Sequence, residues 1–244
     1  MAELDTTPGL TEMERLGNTF VAPSKTFSDI LRSSSWWLPF LISALFSVAF
    51  AYAVDRQVGF SQVAETQMHL SPSSEERLAA LTPEDRATQM QKITSSYRFF
   101  TYASPGIILV VSALASLGLW ATFNFGLGAR TTFAQIFCLW MYANLPRLLT
   151  SIVGIVTVCF GGSPESFNLK EPAGSNISYY LPDASPWLST LLGFFDIVGI
   201  WVLVLLILGG SIVAKVKIAQ AAAVVVGWWL LIVLVSVAAT AAFS

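Results

Sequence analysis

Five long apolar stretches, separated by short or polar connections, constrain this chain more than any other feature. A helix needs about 20 predominantly apolar residues, at about 1.5 Å each, to cross a bilayer's hydrocarbon layer. Trp36–Val54, Ala103–Leu127, Thr132–Phe160, Trp187–Gly209 and Ile218–Phe243 meet that requirement. Only 11% of the residues are charged, where a soluble domain carries about a quarter. Most of the surface must therefore meet something other than water. The predicted fold class is all-α, a polytopic membrane helical bundle with five transmembrane helices and a polar helical hairpin between spans one and two.

Two domains follow: residues 1–35 as a cytosolic N-terminal segment with short interfacial helices, and residues 36–244 as the five-span membrane domain. Thr11 and Glu14 have the spacing of a capping box, so a short helix starts there. Pro23 stops it, and Ser24 can cap a second helix whose Phe27, Ile30 and Leu31 make one apolar face. Trp36 and Trp37 then fall where aromatic residues gather at the headgroup level. Glu3, Asp5, Glu12, Glu14 and Asp29 are unlike the basic start of a secretory leader, so the first span is read as retained.

The polar insert, residues 55–102, carries two helix starts, Ser73 with Glu76 and Thr82–Pro83 with Asp85. These predict a helical hairpin whose second arm runs into span two. Gly161 to Pro186 has loop composition, and Tyr179, Tyr180 and Trp187 form an expected aromatic belt. Asn176-Ile177-Ser178 matches a glycosylation tripeptide that is common by chance. In the short connections Arg130, Lys215 and Lys217 stand against Lys170 alone. The positive-inside rule then puts the N-terminus in the cytosol and the C-terminus on the opposite face.

Two ionisable residues lie inside the apolar stretches: Arg147 in span three and Asp196 in span four. Each costs about 2.5–3.5 kcal/mol at a helix centre even on the lowest scales. Counted from Phe160 and from Pro186, their depths are roughly 20 Å and roughly 15 Å, a difference that an arginine side chain can bridge. An Arg147–Asp196 pair is therefore expected, each charge cancelling part of the other's desolvation. Pro146 should break span three by removing a backbone donor. The carbonyl freed near Tyr142 or Ala143 then needs a partner, and Asn144 is close enough to help supply one. Asn124, Asn144, Thr150 and Ser151 are the chief other polar groups at such depth.

Catalysis needs converging acid, base or nucleophile groups. His69 is the only histidine, Cys138 and Cys159 lack CxxC partners, and no glycine-rich phosphate loop or zinc motif occurs. An enzyme, a cofactor and a metal site are not expected. A net charge of -2 implies no nucleic-acid partner. Ser112, Ser116 and Gly118 in span two, and Ala219, Ala222, Ala223 and Gly227 in span five, let helix backbones approach closely.

With these features in order, the chain resembles the YIP family, in its bacterial branch: five-span proteins with the Yip-one domain, named for Ypt/Rab-GTPase interaction. "TFVAPSKTFSDILRSSSWWLPF", Thr19 to Phe40, is similar to the family's lead-in to the first span. "MYANLPRLL", Met141 to Leu149, is similar to its tyrosine-then-proline segment in span three. The resemblance implies the five-span fold, a cytosolic N-terminus and a non-enzymatic membrane role. The eukaryotic members' acidic motif before the first span is absent, so Rab-type GTPase binding is not carried over.

The expected function is that of a non-enzymatic integral membrane scaffold or interaction protein of the inner (cytoplasmic) membrane. Its expected partners are the lipid bilayer and other membrane proteins or further copies of itself. The alternative is a small transporter or channel built on the Arg147–Asp196 pair and the helix broken at Pro146, which would need a polar-lined path to the midplane.

Overall fold

The computed structural model describes residues 9–69, 72–161, 167–169, 174–181 and 184–243. Lys170 and the side chain of Ser73 lie outside them. The described residues form α1 (Glu12–Val21), α2 (Pro23–Ile30), α3 (Trp37–Gln57), α4 (Phe60–His69), α5 (Pro72–Ala79), α6 (Pro83–Tyr102), α7 (Ser104–Ala121), α8 (Phe133–Ala143), α9 (Arg147–Phe160), α10 (Pro186–Gly193), α11 (Ile197–Ala214) and α12 (Ile218–Phe243). Five stretches are long and apolar enough to cross a membrane: Trp37–Gln57, Ser104–Gly126, Phe133–Phe160, Ile197–Ala214 and Ile218–Ala242. The expected all-α, five-span bundle is what the chain forms.

Span four starts later than its apolarity suggests. Pro186–Gly193 is a helix of its own, and the spanning helix begins only at Ile197. The reason is local. The Asp196 carboxylate accepts the Gly199 backbone N–H at 2.9 Å, capping the first turn of α11. In span three α8 ends at Ala143 and α9 begins at Arg147, so the chain breaks at Pro146 as expected.

The chain divides into two compact units. The first comprises Met1–Leu41, Val110–Pro146 and Trp201–Trp229; the second comprises Ile42–Leu109, Arg147–Ile200 and Leu230–Ser244.

In the first unit α8 is the hub. Ile136, Phe137, Cys138, Leu139, Met141, Tyr142 and Ala143 are all buried. A helix apolar on every side needs neighbours all round it. Cys138 donates its thiol to the Ser35 carbonyl at 3.2 Å. Trp140 donates Nε1–H to Ser112 at 3.0 Å. Leu139 and Phe27 converge on Gly209 of α11, where an added Cβ would lie 2.2 Å from Leu139 Cδ1 and 3.0 Å from the Phe27 ring. Glycine is the residue that this approach permits. Trp228 of α12 packs its ring over Gly118 and donates to the Thr122 hydroxyl at 2.9 Å.

In the second unit the polar insert is a helical hairpin with one more helix than the two starts predict. Phe60, Val63, Ala64 and Gln67 recur at helical spacing and are buried, which makes α4. Val54, Phe60, Val63 and Phe167 form its core, with Tyr97 and Tyr102 of α6 packed against them. Thr82 caps α6 as expected, accepting the Asp85 N–H at 3.2 Å. Asp55 accepts the Tyr102 hydroxyl at 3.0 Å and meets Arg98 at 3.3 Å.

Candidate functional site

The most concentrated polar chemistry in the described residues lies where α1 and α2 meet α8. Thr11 starts α1 with the expected capping box: its hydroxyl accepts the Glu14 N–H at 3.2 Å, and its own N–H donates to the Glu14 carboxylate at 2.7 Å. That fixed start places Glu12, Arg15 and Thr19 on one face at helical spacing. α2 begins at Pro23, with Ala22 rather than Ser24 at the cap position. Proline at the first helical position needs no donor and is already set at the helical φ, so no side-chain cap is required. Phe27 and Ile30 are buried as predicted, whereas Leu31 is exposed.

Arg15 is only 2% exposed and Asp29 11%. The guanidinium gives Nε at 2.6 Å and Nη2 at 2.5 Å to Asp29 Oδ2. Arg32 meets the other carboxylate oxygen, Oδ1, at 2.9 Å. Glu12 approaches Arg15 Nη1 at 3.9 Å and accepts the Tyr142 hydroxyl at 2.9 Å. Two cations and two carboxylates therefore cancel, the condition under which buried charge is tolerated. Burial works against the Arg15 charge; Asp29, by hydrogen bond and charge, outweighs it with help from Tyr142 and Glu12, and the arginine pKa stands above its usual value. Thr19 and Thr26 each donate a hydroxyl to the Arg15 carbonyl, at 2.8 and 2.9 Å. The cluster clasps α1 to α2 and ties both to span three.

The residues that the sequence singled out fall elsewhere. Arg147 opens α9, and Asp196 caps α11. Both belong to the second unit, and the Asp196 carboxylate acts electrostatically on the Arg147 guanidinium. Asp196 Oδ1 is buried without a hydrogen bond. Asn144 donates Nδ2–H to the Trp140 carbonyl at 2.9 Å. The Tyr142 carbonyl, which Pro146 deprives of its helical donor, takes the Leu145 N–H at 3.1 Å. Asn124 sits in a π-helical turn, Thr122–Gly126, at the end of span two. Its amide donates to the Trp120 carbonyl at 3.0 Å and to the Thr131 hydroxyl at 2.9 Å, while its oxygen accepts the Thr131 N–H at 2.9 Å.

Sequence reading missed the Arg15 cluster. Its one local signal is the capping box, which fixes the phase of α1 and puts Glu12 and Arg15 on the same side. The pairings with Asp29 and Tyr142 are tertiary and leave no spacing rule.

The Yip1 domain matches residues 17–240, almost the whole chain. The chain belongs to the Yip1 family. No curated protein and no solved structure matches it. Within the Yip1 match lie Asp29, Tyr142, Arg147 and Asp196, whereas Glu12 and Arg15 precede it.

Proposed function

We propose that this Yip1-family membrane protein is a non-enzymatic scaffold or interaction protein, seated in the inner (cytoplasmic) membrane with a cytosolic N-terminus. The observation that carries the reading is how its intramembrane polar groups are used. Asn124 holds its own turn and the Thr131 backbone, and Asn144 bonds one turn back along its own helix. A transporter would keep such groups facing a hydrated path. Polar groups spent within their own turns and helices leave the outer surface for lipid, other membrane proteins or further copies of the chain. In this reading Arg147 and Asp196 are a structural clasp. Rab-type GTPase binding is not part of the proposal.

The test is reconstitution of the full chain into liposomes loaded with a fluorescent ion indicator, beside mild-detergent isolation from its own membrane. Expected are ion flux equal to that of empty liposomes and a stoichiometric membrane-protein companion or a homo-oligomer. Flux that Asp196→Asn abolishes would overturn the reading in favour of the transporter.

A further inference from the structure

We propose that α1 and α2 form a re-entrant hairpin whose tip carries Lys25 below the headgroup plane, where it holds the phosphate of a phospholipid drawn into the leaflet. The argument begins with depth along the spans. Gly209 lies roughly 8 Å and Trp201 roughly 20 Å from the end of α11 at Ala214, at about 1.5 Å per residue. Phe27 of α2 packs at the Gly209 position together with Leu139. Leu139 itself lies roughly 9 Å from the start of span three at Phe133, so the two spans agree on that level. Phe20, near the end of α1, meets Trp201 edge to face, ring centroids 5.8 Å apart. At the other end of α1, Glu12 meets the Tyr142 hydroxyl. Tyr142 lies roughly 14 Å from Phe133 by the same count, so from Glu12 to Phe20 the roughly 12 Å of α1 descend obliquely by about 6 Å. The turn between the helices, at Val21–Pro23, therefore points inward, toward the middle of a hydrocarbon layer about 30 Å thick.

The turn is built for that place. The Ala22 N–H donates to Asn18 at 2.8 Å, the Lys25 N–H donates to Ala22 at 2.9 Å, and Pro23 has no N–H to satisfy. Yet its outer face is not that of a lipid-facing helix. Val21 is exposed, and Ser24, Lys25 and Ser28 are exposed beside it. Lys25 has no carboxylate partner among the described residues, whereas Arg15 and Arg32 of the same hairpin are both paired. An unpaired ammonium at this level needs an anion. The anion native to that place is a lipid phosphate, with the hydroxyls of Ser24 and Ser28 at its side.

The experiment uses the full chain with Cys138 and Cys159 replaced. A bimane fluorophore is placed at Ser24→Cys or, as a level marker, at Val204→Cys, an exposed position one turn from Trp201 on α11. Each variant is reconstituted in phosphatidylcholine–phosphatidylglycerol vesicles bearing a nitroxide on the headgroup or deep on the acyl chain. The proposal expects Val204→Cys to be quenched chiefly by the acyl nitroxide and Ser24→Cys at least twofold more by the headgroup nitroxide. Lys25→Gln should reverse the preference at Ser24→Cys. Headgroup quenching at Ser24→Cys that persists unchanged in Lys25→Gln would place the hairpin at the surface. Acyl quenching at Ser24→Cys, or no response to Lys25→Gln, would remove the phosphate. Any of these results overturns the proposal.

Discussion

Arg15 places Nε and Nη2 on the same oxygen of Asp29, at 2.6 and 2.5 Å, across a turn between two short helices. With the arginine 2% exposed and the aspartate 11%, neither charge can fall back on water. Removing Asp29 strands the buried Arg15 guanidinium, which costs about 3–5 kcal/mol, whereas removing Arg15 leaves Asp29 its second partner, Arg32; replacing both by apolar residues of similar volume is often neutral. Asp29→Leu should therefore destabilise the purified protein by about 3–5 kcal/mol, Arg15→Met should cost less because Arg32 still holds Asp29, and Arg15→Met with Asp29→Leu should regain most of the loss. Thermal unfolding in one detergent, compared across the set, checks both statements.

The Tyr142 hydroxyl of α8 ties this cluster to span three, and its acceptor is the Glu12 carboxylate at 2.9 Å. Hydrogen bonds to charged groups contribute about 1.5–3 kcal/mol. Tyr142→Phe is expected to lose about that much. Glu12→Gln in the Tyr142→Phe background should add less than it does alone, which a double-mutant cycle measures.

Gly209 accepts both Leu139 and Phe27 because it has no Cβ. Overpacking a well-filled site costs about 1–3 kcal/mol. Gly209→Ala should fall in that range, and trimming the obstructing side chain with Leu139→Ala should make the glycine substitution easier to bear. Gly227 has open space around its missing side chain, so Gly227→Ala serves as the neutral comparison.

The proposed clasp gives Asp196 a second role, countercharge to Arg147, beside its observed one as helix cap. Asparagine caps as well as aspartate, so Asp196→Asn keeps the hydrogen bond from Gly199 and removes the charge. If the clasp is electrostatic, Asp196→Asn and Arg147→Gln will lower the yield of folded protein alike, and the double variant will be no worse than either. A mild Asp196→Asn beside a severe Asp196→Ala would leave the cap as its whole role.

Glu14 supplies the carboxylate of the capping box, and its hydrogen bonds to Thr11 hold its pKa below the ordinary 4.5. A depressed folded value means that the contribution is present above the unfolded pKa and is lost as pH falls through the folded one. The start of α1 should therefore loosen only below pH 4.5, seen as faster proteolysis there. In Glu14→Gln that pH dependence should vanish.

The spans were legible because a bilayer demands length and apolarity together, and both are written in the composition. Pro146 was legible for an equally local reason, the missing donor. The start of span four was not. Pro186–Gly193 is as apolar as a span, and only the spacing of Asp196 and Gly199 signals that a new helix begins between them. α4 was hidden in a polar insert although its buried stripe from Phe60 to Gln67 has helical spacing. Arg15 carries no local mark of its pairing. Its partners stand 14 residues along the chain at Asp29 and, through Glu12, 130 residues along at Tyr142. No local rule reaches so far.

Hydrogen exchange of the full chain in nanodiscs, followed at α1 and α2 before and after Tyr142→Phe, tests most directly whether the charge cluster fastens these helices to the bundle. Residues 12–30 should exchange as slowly as α8, and the substitution should speed their exchange while leaving α9 unchanged. Rapid exchange of residues 12–30 in the unaltered protein would contradict the account.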